Sequence, residues 1–402
     1  KIVNKNSKIT IGDSAFYRTK LGSSTTKPFQ LVIEDASTTS ESTIGYHAFE
    51  SSEGPLVLTF NEDITSIVKI YDYAFYRSGI YNSDPEKEND FLRLLERVTS
   101  IGKRSFAECQ SIEGAVYLRS TEMDEYAFYN CKNLKKIIIH ASSISKGAFE
   151  ACGTISPITN LTITQNNQFK PSDGTITTTP LTIGDRAFYA SGLDCELFIH
   201  SFVSEIGEYA FAYCTSLVGN YITIYAKEIK PYAFSNCGKF AKQIRIYSSQ
   251  IDYHCFDDDT ITDIRIEGID GDESKIETEA FYDVEFLGKV DITSDVSIEY
   301  NAFQMCTFND DIVINGSIGE YAFDNCTIPS SARNVDLSIG STSVSAHAFQ
   351  RFGRTGTFTL KFHDIQFAQN TIGRYAFYEA NITGGVEIPW CFRSIGDYAF
   401  TN

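Results

Sequence analysis

The sequence predicts a solenoid: a right-handed β/α superhelix with a single parallel β-sheet of about 15 short strands and short helical or 3₁₀ turns opposite. Three observations predict it. A six-residue phrase, an aliphatic residue, three mostly polar positions and then Ala-Phe, recurs sixteen times in 402 residues. The copies follow one another at a basal interval of about 22 or 23 residues. Between them run four-residue segments in which apolar and polar positions alternate. Self-similarity at such a period marks stacked copies of one supersecondary unit, and it overrides the two or three domains that length alone suggests.

The phrase reads IGDSAF at Ile11–Phe16 and IGDYAF at Ile395–Phe400. Its phenylalanines are Phe16, Phe49, Phe75, Phe106, Phe128, Phe149, Phe188, Phe211, Phe234, Phe256, Phe281, Phe303, Phe323, Phe349, Phe377 and Phe400. Five residues before each stands Ile, with Met123 and Val344 the exceptions. Ala precedes each Phe except at Ser105 and Cys255. Ile and Phe fill the coil interior. Ala suits a wall where coils approach closely.

The strand segments include LVIE from Leu31, LVLT from Leu56, LRLL from Leu92, VYLR from Val116, IIIH from Ile137 and LTIT from Leu161. LFIH from Leu197, ITIY from Ile222, IRIY from Ile244, IRIE from Ile264, VDIT from Val290 and IVIN from Ile312 continue the series. VDLS from Val335, LKFH from Leu360 and VEIP from Val386 complete it. Short, β-branched and alternating, each reads as one strand per coil, stacked in parallel on its neighbours. An Ile-Gly corner then turns the chain toward the Ala-Phe wall. Longer intervals mark polar insertions at 22–29, 78–90 and 166–180, read as surface loops. The array is expected to run continuously over residues 1–402. The first phrase starts at Ile11 and the last ends at Phe400 without a polar cap, so the sequence reads as part of a longer protein.

Thirty-four Lys and Arg against 52 Asp and Glu give a net charge of −18. That balance disfavours nucleic acid, whose affinity comes from neutralising phosphates. It equally disfavours anionic membrane surfaces. No apolar run approaches the roughly 18 residues that span a bilayer, so direct membrane insertion is not expected.

The phrase with its following Cys, as in IGEYAFAYC at Ile206–Cys214 and IGEYAFDNC at Ile318–Cys326, resembles the BspA-type (Treponema pallidum-type) leucine-rich repeat. The resemblance covers essentially the whole chain. It implies a leucine-rich-repeat solenoid, secreted or at the cell surface, that adheres to host matrix proteins, host cells or other microbes. It implies no catalytic residues and no cofactor. The sequence departs from other leucine-rich repeats in lacking a regular Asn ladder, and from regular BspA repeats in its uneven period.

Seven of the ten cysteines lie three residues after a repeat Phe: Cys109, Cys131, Cys152, Cys214, Cys237, Cys306 and Cys326. Other coils place Thr19, Ser52, Ser78, Ser191 or Ala380 there, which identifies a buried slot for a small side chain. Stacked coils would bring such cysteines within disulfide range, but with parallel Cβ vectors that suit the bond's dihedral poorly, so free thiols are expected. His47, His254 and His347 sit two before Phe, a position held by Tyr in seven coils, and read as outward spacers. His140, His200 and His363 end strands at one repeat position, too far apart to share a metal. Asp270, Asp272, Ser274 and Glu277 loosely resemble a calcium loop, but Lys275 stands where its glycine belongs. No catalytic motif is present, and carboxylate pairs are too abundant to nominate any as acid and base.

The strand face is the natural extended binding surface of a solenoid. Middle outward positions include Val57, Tyr117, Ile138, Phe198, Arg245, Arg265, Val313, Asp336 and Lys361. Two residues on come Arg119, His140, His200, Tyr225, Tyr247 and Ser338. One aromatic and basic cluster emerges: Tyr117, Arg119, Ile138, His140, Phe198, His200, Tyr225, Arg245, Tyr247 and Arg265. Tyr and Arg dominate binding hot spots. Strand positions also favour aromatics by propensity alone. The reading is a monomeric, non-enzymatic adhesion module for a protein or glycan ligand of the extracellular matrix or cell surface. The alternatives are a spacer that displays another domain, and the targeting region of an enzyme whose catalytic domain lies elsewhere.

Overall fold

The structure is a computed structural model. It describes all residues except 1, 6–7, 35–40, 61–66, 82–97, 120–121, 166–167, 170–175, 178–179, 218, 220, 241, 270–272, 341–342 and 364–369. The chain forms two compact units, residues 1–195 and 196–402. Each is a stack of coils whose strands pair in parallel with the coil before and after.

In the 196–402 unit the expected strand wall is an eight-stranded parallel sheet. Its strands are Leu197–Ile199, Tyr221–Tyr225, Gln243–Tyr247, Asp263–Glu267, Val290–Ile292, Ile312–Ile314, Val335–Ile339 and Phe358–Phe362. In the 1–195 unit the same wall comprises two three-stranded sheets. One holds Ile2–Lys5, Phe29–Glu34 and Leu56–Phe60, the other Gly114–Arg119, Leu134–Ala141 and Asn160–Gln165. The proposed strand at Val386 is not formed, and the one at Leu92 lies outside the described residues.

More of each coil is strand than the single expected sheet. The aliphatic corner residues form ladders of their own, such as Glu41–Ile44 with Ile67–Ile70 in one unit and Ser274–Ile276 with Val296–Ile298 in the other. At the corner the coils nearly touch: a Cβ on Gly319 would lie 2.6 Å from the Ile298 carbonyl oxygen. A third short ladder joins Thr260–Ile261, Glu285–Phe286 and Thr307–Phe308.

The Ala-Phe wall contains no helix among the described residues. Instead each copy makes successive i→i−3 turns. In the first coil the bonds are Ala15 N–H to Gly12 O (3.2 Å), Tyr17 N–H to Ser14 O (3.1 Å) and Thr19 N–H to Phe16 O (3.2 Å). The intervening N–H groups leave the coil: Ser14 donates to Tyr46 O (2.8 Å), Phe16 to Ala48 O (2.7 Å) and Arg18 to Glu50 O (2.9 Å). Half the donors therefore close turns and half bind the next coil, a division that a helix, which uses its donors internally, does not allow. The geometry needs positive φ at alternate positions, as at the third residue of a type II turn. Every non-glycine residue with positive φ among the described residues lies two before or two after a repeat Phe.

Inside, the repeat phenylalanines stack. Centroids from Phe16 to Phe188 lie 4.8–5.5 Å apart with planes within 8°. From Phe211 to Phe400 the steps are 4.8–5.3 Å. Such offset stacking contributes about 0.5–1.5 kcal/mol per pair beyond burial. A second internal stack, Phe286 on Phe308 at 5.1 Å, follows the third ladder.

Two register assignments are corrected. Val57 lies opposite Gln30 and not Val32, because Leu58 and not Leu56 lies opposite Leu31; it keeps the outward side of the strand but is covered to 5% exposure. Val313 lies opposite Ser338, which in turn faces Lys361, so Asp336 sits one outward step earlier than its spacing suggested. In both places the coil length changes between strands, and a fixed-period alignment slips by two.

Candidate functional site

The ten residues proposed for the strand face divide between the units: Tyr117, Arg119, Ile138 and His140 belong to the first, the other six to the second. In the first unit the expected register holds, with Tyr117 opposite Ile138 and Arg119 opposite His140. Tyr117 and His140 rings pack at 5.0 Å and 54°. His140 Nδ1 meets the Thr164 hydroxyl, which itself donates to Ile139 O at 3.2 Å. Tyr117, Ile138 and His140 are only half-exposed. The side chain of Arg119 lies outside the described residues.

In the second unit the strands bring their outward residues into rows. Thr223, Arg245 and Arg265 form one row, and Tyr225, Tyr247 and Glu267 the next. Tyr225 and Tyr247 stack at 4.2 Å and 4°. Burial, then the neighbouring Tyr225 hydroxyl, pushes the Tyr247 phenol above its usual range. Phe198, 48% exposed, meets His200 edge-on at 4.3 Å and Tyr225 at 6.5 Å.

Two further aromatics belong to this cluster and were missed. Phe202 stacks on His200 at 5.2 Å, and Tyr221, 59% exposed, begins the strand that carries Tyr225. The signal for Tyr221 was available, since alternation places it on the same face as Thr223 and Tyr225. Phe202 lies beyond the strand end, where alternation gives no direction.

The basic character of the cluster is weaker than expected. Arg265 donates from Nε to Glu267 at 2.6 Å and from Nη1 to Asp291 at 2.9 Å, and those bonds raise its pKa. Arg245 is exposed and has no carboxylate partner among the described residues.

The outer side of the Ala-Phe wall carries a second aromatic ladder, built on the positive-φ residues two before Phe. Tyr209, Tyr232 and His254 stack at 4.8 and 5.4 Å, and Tyr321, His347, Tyr375 and Tyr398 at 4.5–5.0 Å. His254 and His347 are thus members of this ladder, and His47 stacks in the same way on Tyr73 at 5.1 Å in the first unit.

None of the ten cysteines forms a disulfide. The repeat thiols are more than packing fillers. Cys109, Cys152, Cys306 and Cys326 each donate to the repeat Phe carbonyl of the preceding coil at 2.8–3.0 Å. Burial pushes the Cys306 thiol far above its usual range. Among the described residues no group of His, Cys, Asp and Glu is arranged to hold a metal ion. Asp270 and Asp272 lie outside the described residues, and Ser274 of the same segment is a buried strand residue. No helix among the described residues is long and apolar enough to cross a membrane.

A stack of coils joined by parallel strand ladders, with an Ala-Phe back wall and a variable strand face, defines a leucine-rich-repeat solenoid. The chain belongs to the BspA-type family: the family model for the BspA type leucine-rich repeat region (6 copies) matches residues 10–155, 90–218, 166–262, 227–354 and 370–402. Among solved structures it is similar to a leucine-rich repeat protein from Bacteroides ovatus ATCC 8483, at 21% identity and TM-score 0.39, over 75% of this chain and 79% of that one. It is also similar to a leucine rich cell surface protein from Faecalibacterium prausnitzii A2-165, at 16% identity and TM-score 0.34, over 88% and 83%. No curated protein matches the chain.

Proposed function

We propose that the chain is a non-enzymatic recognition module, secreted or displayed at a cell surface, that adheres to a host or microbial protein through the strand face of the 196–402 unit. The observation that carries this reading is the asymmetry between the walls. The Ala-Phe wall commits its backbone donors to turns and to the next coil. The strand face instead presents side chains that differ from coil to coil, with Phe198, Tyr221, Tyr225, Arg245 and Tyr247 together. Amphipathic aromatics beside an exposed Arg are the residue types that anchor protein interfaces. A glycan that stacks on the tyrosines is less well supported, because Tyr225 and Tyr247 each cover one face of the other.

The test is binding of the whole chain to immobilised extracellular-matrix proteins and to a glycan array. It compares wild type with the triple variant Tyr225→Ala, Arg245→Ala, Tyr247→Ala. Retention on a protein ligand that the triple variant loses, with thermal unfolding unchanged, supports the reading. Equal retention by both refutes it.

A further inference from the structure

The strands of this face treat their cations unequally. Three cations with described side chains lie within them: Arg245, Arg265 and Lys361. Arg265 is held by Glu267 and Asp291, and Lys361 by Asp336. Arg245 alone faces solvent with no carboxylate at ion-pair distance among the described residues. Its register neighbours are Thr223 on one side and Arg265 on the other, and Tyr247 lies two residues on along the same strand. Like charges directly opposite on adjacent strands repel. The two carboxylates on Arg265 relieve that repulsion without contacting Arg245. The outcome, on a chain of net charge −18, is one guanidinium whose donor fork meets no carboxylate among the described residues, beside the stacked pair Tyr225 and Tyr247.

We infer that Arg245 anchors a carboxylate of an extended acidic polypeptide segment, flanked by the tyrosine hydroxyls. The inference rests on the reading of the strand face as a recognition surface and adds the chemistry of the partner. A planar fork of N–H donors matches a carboxylate in two parallel hydrogen bonds. The same face repels acidic segments wherever Glu267 and Asp291 are not neutralised, so Arg265 acts as a screen and Arg245 as the contact.

The experiment titrates fluorescein-labelled decaglutamate against the whole chain by anisotropy, at low and at physiological salt, with heparin as a second probe. Decaglutamate is expected to bind, more weakly at physiological salt. Arg245→Gln should weaken it about tenfold, the loss of one charge-assisted contact. Arg245→Lys should recover only part, because a point charge lacks the fork. Asp291→Asn, which removes one screening charge and frees one arm of Arg265, should tighten binding about threefold. Equal affinity in wild type and Arg245→Gln overturns the inference. So does heparin binding tighter than decaglutamate and through Arg245, which would assign the site to a sulfated polysaccharide. If decaglutamate fails to bind while the triple variant still loses a matrix protein, the acidic-segment inference falls and the recognition face stands.

Discussion

Replacing Ala151 and Ala190 by Gly should stabilise the 1–195 unit. Both lie two residues after a repeat Phe, in the left-handed region at φ 58° and 51°. An L residue with a Cβ is strained there by about 1–2 kcal/mol, whereas Gly adopts the region freely. Against that gain, Gly loosens the unfolded chain by about 0.4–1 kcal/mol. The net expectation is about 0.5–1 kcal/mol of stabilisation at each site. Gly147 supplies the converse. It holds the equivalent strained position two before Phe149, at φ +60°, and a Cβ added there would meet the Tyr126 ring at 2.3 Å. Gly147→Ala should therefore destabilise by about 2 kcal/mol or more, from backbone strain plus displacement of the Tyr126 ring from its place. Urea midpoints by circular dichroism, with the denaturant slope checked for constancy, read all three variants. The reasoning is refuted if the Ala→Gly variants lose stability, as they would in an ordinary strand or helix, or if Gly147→Ala is neutral.

Asp259 occupies the slot where other coils place Cys, and burial raises its pKa well above the ordinary 3.8, helped by the charges of Asp257 and Asp258 and opposed by the Gly238 and Cys237 backbones. A raised carboxyl pKa means the folded state binds the proton more tightly, so this group's contribution is complete below about pH 3.8 and is lost as pH rises through the folded value. Wild type should therefore gain stability on moderate acidification from neutral pH, and Asp259→Asn should be more stable than wild type at neutral pH with a flatter pH profile; a variant that loses stability there while keeping the wild-type profile would contradict this. At the same slot two coils on, Cys306, whose thiol donates to Phe281 O at 2.8 Å, Ser should preserve stability better than Ala by about 1 kcal/mol in chemical denaturation, and equal values would show that the hydrogen bond contributes nothing. Iodoacetamide should modify Cys195 first in the folded chain, since it alone of the ten is not fully buried, and peptide mass spectrometry showing a repeat cysteine labelled before it would exclude the packed thiol ladder.

The strand wall and the Phe stack were legible in the sequence because each depends on a local period, two within a strand and one phrase per coil. What depends on register between coils was not. The outward row of strand positions already sets Asp291 beside Arg265, but alternation does not show that the two side chains pair. Val57 reads as the row neighbour of Val32 until the pairing shows Leu58 at the position of Leu31, which moves Val57 opposite Gln30. The left-handed residues escaped for a different reason. Their usual marker is Gly, and only Gly147 supplies it at the position two before Phe. Elsewhere Tyr, His, Arg, Asn and others take the conformation, tied to the next coil through their N–H, as His47 is to Asp72 O at 3.1 Å, and to their own turn through their carbonyl, as His47 O is to Glu50 N–H at 3.2 Å. The donor role of the repeat thiols was foreshadowed by Thr19, Ser52 and Ser78 in the same slot, but Ala380 and Val284 conceal it.

The central claim is that recognition belongs to the strand face of the 196–402 unit and scaffolding to the Ala-Phe wall. Hydrogen exchange on the whole chain, with and without a matrix protein that it retains, tests this most directly. The account predicts slowed exchange confined to the Leu197–Ile199, Tyr221–Tyr225 and Gln243–Tyr247 strands and the turns that follow them. Protection centred instead on the outer ladder of Tyr209, Tyr232 and His254 would contradict it.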